Sequence, residues 1–327
     1  WEVRTTAEAF LEYADVVSQH LGDRVKHWIT HNEPWVVAFV GNLWGSHAPG
    51  KKDFAAAVKV SHHLLLSHGW AVPVIRRNSP DCEVGMTLNV HPAVAASPSA
   101  ADNAAAHRHD GFQNRWFLDP LYGRGYPADM VAMYNDPANA ARGFYAADAM
   151  SVVQEGDLDA IAVPTDFLGL NYYHRVLVRD EEAADNMAQT VYKQPQADET
   201  EMGWEIYPQG LYNILNRLHR DYGAPKLYIT ENGCSYSDGP NENGRVCDVR
   251  RRRYLREHFI AANQAIRDGV PLAGYFVWSL LDNFEWAFGY EQRFGIVHVD
   301  FETQQRTPKD SALWYRDVIA ANGFDLV

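Results

Sequence analysis

Apolar residues along this chain fall into two alternating rhythms. Short runs rich in branched and aromatic residues recur: VKHWITHN (25–32), EVGMTLN (83–89), DFLGLNYY (166–173), KLYITEN (226–232) and GYFVWSLLD (274–282). Each reads as a buried strand. Helical patterns lie between them. TTAEAFLEYADVVSQHL (5–21) repeats apolar residues at Phe10, Leu11, Ala14 and Val17, with Thr5 or Thr6 as the expected cap. DFAAAVKVSHHLLLSHGWAVPVIRR (53–77) is a second, in which Pro73 is expected to mark a bend or the near end. Residues 104–122, 208–223 and 249–269 supply three more. Gly22, Gly223 and Gly269 are the expected stops.

Alternation of apolar strands with helices implies an α/β architecture with a parallel sheet. The strands carry polar groups at their carboxyl ends: Asn32 and Glu33, Asn89, Asn171 with Tyr173, Glu231 with Asn232, and Trp278 with Asp282. A (β/α)8 barrel builds its active site from such strand ends. A doubly wound sheet would gather ligand groups at one switch point, beside a glycine-rich phosphate loop. The sequence holds no such loop and no internal repeat, which favours a TIM barrel in a single catalytic domain spanning 1–327. Polar insertions at 179–203 and 235–246 follow strands, where substrate-shaping loops belong.

Composition narrows the function. The 327 residues are 46% hydrophobic and 13% aromatic, with ten Trp and seventeen Tyr. Such abundance fills a core, and also suits a cleft that stacks on sugars. A net charge of −13, from 42 acidic and 29 basic residues, argues against nucleic acid as a partner. The one basic run, VRRRRYLRE (249–257), reads as the solvated face of a helix. No apolar run reaches membrane-spanning length, so no membrane partner is expected, and the expected location is cytoplasmic. Three cysteines make no disulfide framework. Cys234 and Cys247 flank a loop and can pair only if its geometry allows, whereas cytosolic thiols usually stay reduced. The paired histidines His62-His63 and His107/His109 lack metal-site spacing, and no metal or cofactor is expected.

The sharpest chemistry lies in two short stretches. HWITHNEPW (27–35) ends a β run on Asn32 and Glu33, and Pro34 stops the ladder. KLYITENG (226–233) repeats the arrangement around Glu231. Glutamates this far apart in sequence meet only if their strands end at one mouth, as in a parallel barrel. A glycosidase needs such a pair: one carboxyl protonated to assist the leaving oxygen, the other ionised. A separation of about 5–5.5 Å gives direct attack and retention, and a wider gap admits water and gives inversion.

THNEPW, GLNYY, YITENG and WSLLDNFEWAFGY with RFGIVHVD together resemble family 1 glycoside hydrolases, the β-glucosidase family. The resemblance runs through RTPKDSALWY (306–315), in the family's order. It implies a retaining mechanism with Glu33 as acid/base and Glu231 as nucleophile. Asn32 resembles the amide that binds the sugar 2-hydroxyl, and Tyr173 the phenol that bonds the nucleophile. Asn171 lines the same wall. Trp278 resembles the platform under the glycone, Glu285 and Trp286 the pair that grips the 4- and 6-hydroxyls. Trp204 resembles the aglycone wall, and Phe294 joins the substrate-binding set. The Glu285-Trp286 pair argues for unphosphorylated β-glucosides, with β-galactosides and β-fucosides as further substrates.

The resemblance also implies that three N-terminal βα units of the barrel are absent, leaving roughly strands 4–8. An open barrel folds poorly alone. The expectation is therefore a fragment, or one half of a split enzyme completed by a second chain. A non-catalytic sugar-binding barrel is the alternative of another class.

Overall fold

The computed structural model describes residues 1–180, 189–191, 194 and 197–324. Part of the insertion at 179–203 therefore lies outside the described residues. Five strands form one parallel sheet: β1 (His27–Asn32), β2 (Glu83–Asn89), β3 (Phe167–Asn171), β4 (Leu227–Asn232) and β5 (Leu272–Val277). Their spatial order is their chain order, and helices carry the crossovers. This is barrel winding, in which every strand points its carboxyl end to the same rim. The outermost strands do not pair with each other, so the sheet is an open arc. Its edges leave Ile29 at 46% and Phe276 at 57% exposure.

Helices cover the outer face. The amphipathic helix Pro208–Tyr222 buries Leu211, Ile214, Leu215 and Leu218. These join Leu168, Leu170, Leu227 and Ile229 of the strands in one core with Leu64 and Leu65 of helix Phe54–Asn78. Each fully buried leucine contributes about 1.5–3 kcal/mol, which is what holds the strand ends in place. An apolar hollow of about 620 Å³ lies between helices Arg4–Leu21 and Phe54–Asn78, bounded by Asp159–Pro164. Neither glutamate of the strand ends lines it.

Several local expectations change. Helix Arg4–Leu21 begins at Arg4, with Val3 rather than Thr5 or Thr6 at its cap and no side-chain cap bond. The fork of Arg4 on Asp157 anchors the first turn instead, at 2.6 and 2.9 Å. Pro73 does lie near the end of its helix, which runs on to Asn78 because burial of most of that helix outweighs one lost hydrogen bond. Gly22 does stop the helix, but as a right-handed cap at φ −66°, and glycine is required there because a Cβ would meet Asn78 O at 2.4 Å. The basic run does form a helix, Val249–Arg267, but Arg251 is buried. Its guanidinium donates to Asp248 Oδ2 at 2.8 Å and to the carbonyls of Tyr236 and Arg293. Strand β5 ends at Val277, not Asp282, because the chain turns away to bridge Leu281 with Val297. Cys234 is buried, Cys247 is exposed, and both are free thiols.

Candidate active site

Irregular register marks the carboxyl ends where β1, β3 and β4 meet their neighbours. The ladder slips between Ile29 and Asn32, between Leu170 and Asn171, and between Ile229 and Asn232. Such bulges re-aim side chains beside functional sites. Here they turn Asn32, Asn171 and Glu231 toward one another. Glu33 follows directly, its N–H held by Thr87 O at 2.9 Å. Its φ of 50° is a left-handed conformation that costs a non-glycine residue roughly 1–3 kcal/mol.

Asn171 joins the two carboxylate-bearing strands. Thr230 Oγ1 donates to its Oδ1 at 2.6 Å, which fixes the amide orientation. The Nδ2 side then donates to Asn32 Oδ1 at 3.0 Å and to Glu33 Oε1 at 2.7 Å. Glu231 Oε2 accepts from the phenol of Tyr173 at 2.7 Å. Asn232, the next residue, faces away into the core, donating to Tyr172 O at 2.7 Å and to Tyr254 Oη at 3.1 Å. Gly233 completes the motif for a steric reason: a Cβ there would lie 1.9 Å from Trp278 O.

The electrostatics distinguish the two glutamates. Burial pushes Glu33 up to about 7, with the charges of Glu231 and Glu285 adding to the shift and only the Asn171 bond opposing it. Burial also raises Glu231, but hydrogen bonds from Tyr173, Asn171 and Asn32 oppose that rise. More donors stabilise charge on Glu231 than on Glu33, so Glu33 holds the proton when the pair carries one.

The remaining residues surround this pair. Trp278 hydrogen-bonds Glu285, whose carboxyl is also raised by burial. Trp286 is 64% exposed and stacks on His47 at 5.5 Å. Trp204 contacts Tyr173 at 5.1 Å and the buried Phe294 at 6.0 Å between ring centres. Asp282, grouped with the strand-end polar residues on sequence, is instead buried beneath this loop. It accepts from Arg293 Nη1 at 2.8 Å, Lys309 Nζ at 3.0 Å and Gly295 N at 3.0 Å. Sequence reasoning missed Thr230 and His47 altogether, although Thr230 stands inside the TEN motif. Among the described residues, no cluster of His, Cys, Asp and Glu is arranged to hold a metal, and no helix is long and apolar enough to cross a membrane.

The profile of glycosyl hydrolase family 1 matches residues 1–324. The chain belongs to this family. Beta-glucosidase A of Acetivibrio thermocellus is 42% identical over 327 residues, a span that is 99% of this chain and 70% of that protein. The AHE enzyme of Alicyclobacillus herbarius superimposes with a TM-score of 0.92 at 45% identity, over 98% of this chain and 69% of that one. Beta-glucosidase from Thermotoga maritima, in complex with deoxynojirimycin, gives 0.91 at 43% identity, over 99% and 70%. The five strands therefore belong to a (β/α)8 barrel, and the chain spans about 70% of the length of these relatives. Family 1 enzymes hydrolyse glycosides, and the strand-end carboxylates lie at the rim a barrel uses for chemistry.

Proposed function

We propose that this chain carries the catalytic carboxylates of a retaining β-glucosidase acting on unphosphorylated β-glucosides. The observation that carries the reading is the unequal environment of two glutamates in one cleft: burial raises both, Glu33 to about 7, but three donors oppose the rise at Glu231 and one at Glu33. Glu33 is the acid/base and Glu231 the nucleophile.

The first step breaks the bond from the anomeric carbon to the leaving oxygen. Glu33 gives that oxygen its proton, and Glu231 attacks the carbon to form a glycosyl ester. Once esterified, Glu231 no longer carries the charge that helps hold Glu33's proton. The acidity of Glu33 therefore rises, and its carboxylate accepts a proton from the incoming water. Water attacks the face opposite the ester, the one the aglycone left, and Glu231 departs as its carboxylate, so the β configuration returns.

Asn32 and Asn171 contact the sugar around its 2-hydroxyl. Trp278 is the glycone platform, and Glu285 with Trp286 reads the 4- and 6-hydroxyls. Trp204 bounds the aglycone side, and the buried Phe294 supports the substrate wall through its contact with Trp204. β-Galactosides and β-fucosides are further candidates. A sugar-binding barrel without catalysis has no need of two opposed carboxylates.

The open edges at β1 and β5, together with the 70% coverage of relatives, favour a larger working barrel. Three further βα units, in the same polypeptide or in a second chain, would close it. The test is hydrolysis of an aryl β-glucoside by this chain beside its Glu231→Ala variant, with NMR of the first-formed sugar. Turnover that yields β-glucose and disappears in the variant supports the assignment. An α product, or turnover retained in the variant, overturns it. Turnover by this chain alone refutes the need for further barrel units.

A further inference from the structure

Behind Trp204 lies a row of aromatic rings that the proposed chemistry does not use. His174 stacks on Trp204, with ring centres 5.2 Å apart and planes 30° apart. His91 in turn stacks on His174, at 5.2 Å and 25°. His91 Nε2 lies 3.3 Å from His109 Nε2, so one ring donates to the other.

The row is anchored at several points. Asn114 clamps the backbone of His91 from both sides, donating to its carbonyl at 2.9 Å and accepting from its N–H at 3.3 Å. His174 Nδ1 is bonded to Arg175 O at 2.8 Å. Beyond the rings, Arg175 forks onto Glu205, the neighbour of Trp204, at 2.8 Å through both nitrogens. A small second sheet, in which Ala93–Ala95 pairs in parallel with Val176–Asp180, ties together the segments that follow His91 and His174. Burial pulls all three histidines below their ordinary range, so the stack consists of neutral rings.

We propose that His91 and His174 are positioning residues that hold Trp204 by stacking and thereby set the aglycone preference of the site. The part about preference rests on the reading of Trp204 as the aglycone wall. The stack itself rests on geometry alone. Among the described residues the ring contacts of His174 are with Trp204 and His91, and Tyr173 keeps its own bond to Glu231, so loss of the imidazole acts chiefly on the aglycone side. A stacked aromatic pair contributes enough to shift a binding equilibrium by about 2- to 10-fold.

Two measurements on His174→Ala, His174→Phe and His91→Ala test this. The first is kcat/KM for phenyl against methyl β-glucoside. In His174→Ala the phenyl-over-methyl ratio falls ~3- to 10-fold, chiefly through KM for the phenyl substrate, and His174→Phe restores it. His91→Ala gives a smaller loss in the same direction. Equal losses on both substrates, or failure of phenylalanine to restore the ratio, overturn the proposal. The second is near-ultraviolet circular dichroism, which needs no turnover. The band attributable to Trp204, defined by difference against Trp204→Phe, collapses in His174→Ala and persists in His174→Phe. An unchanged band in His174→Ala also overturns the proposal. If Trp204→Ala leaves the phenyl-over-methyl ratio intact, the aglycone reading fails, while the dichroism still decides whether the stack holds the indole.

Discussion

Tyr173 donates its phenolic hydrogen to Glu231 Oε2 at 2.7 Å. That bond favours the ionised form of a carboxyl that burial otherwise raises. Tyr173→Phe removes the donor and leaves the ring, so the apparent pKa of Glu231 rises. The acid limb of the kcat/KM profile then moves to higher pH, by roughly one unit for a hydrogen bond to a charged group. A pH–rate profile of the variant checks this. An acid limb that stays in place would show that another group sets it.

Glu33 is expected to set the alkaline limb, because it must be protonated to assist departure of the aglycone. Glu33→Gln therefore abolishes the limb near pH 7 and slows substrates with poor leaving groups ~100-fold or more. Activated aryl glycosides, whose leaving groups depart without a proton, lose far less in their first step. Rates for a dinitrophenyl and a methyl β-glucoside separate the two cases. Equal losses on both remove Glu33 from the acid role.

Much of this site was legible because its signals are local. NEP and TENG each hold a β run, an amide and a carboxylate within a few residues, and strand periodicity puts the pair at one rim. The five strand segments survive in the fold with ends shifted by a few residues. What was not legible depends on contacts between distant segments. Arg251 reads as a surface charge until Asp248 and two carbonyls enclose it. Asp282 follows an apolar run and reads as a strand-end ligand, but its partners Arg293 and Lys309 draw it under the loop. The histidine row is assembled from three separate elements, and spacing along the chain carries no trace of it.

Asp282 staples the loop that carries Glu285 and Trp286 to the rest of the fold. Lys309 is fully buried against it, with burial pulling the ammonium down to about 8, so the pair remains ionic at neutral pH. Asp282→Ala leaves Lys309 buried without its counter-charge, and Arg293 loses a partner. Breaking a buried pair in this way costs about 3–5 kcal/mol. Denaturant unfolding gives the loss directly. A cost below about 1 kcal/mol would show that the loop relaxes enough to hydrate the ammonium.

Glu33 should also leave a mark on stability. In the folded state burial raises it from 4.5 to about 7, so folding favours the protonated form. The stabilisation this confers is fully present below the unfolded glutamate range and is lost as pH rises through about 7. Above that, the fold holds an ionised carboxylate beside Glu231 in a partly dehydrated cleft. Glu33→Gln is neutral at every pH and escapes this penalty. The variant should gain stability over the parent between pH 4.5 and about 7, levelling off above that at roughly 3 kcal/mol. Thermal or denaturant unfolding of both proteins across pH 4 to 9 reads the difference, and Glu231 is common to both. A gap that stays flat with pH would mean that Glu33 titrates at its ordinary value, and the division of labour between the two carboxylates would lose its electrostatic basis.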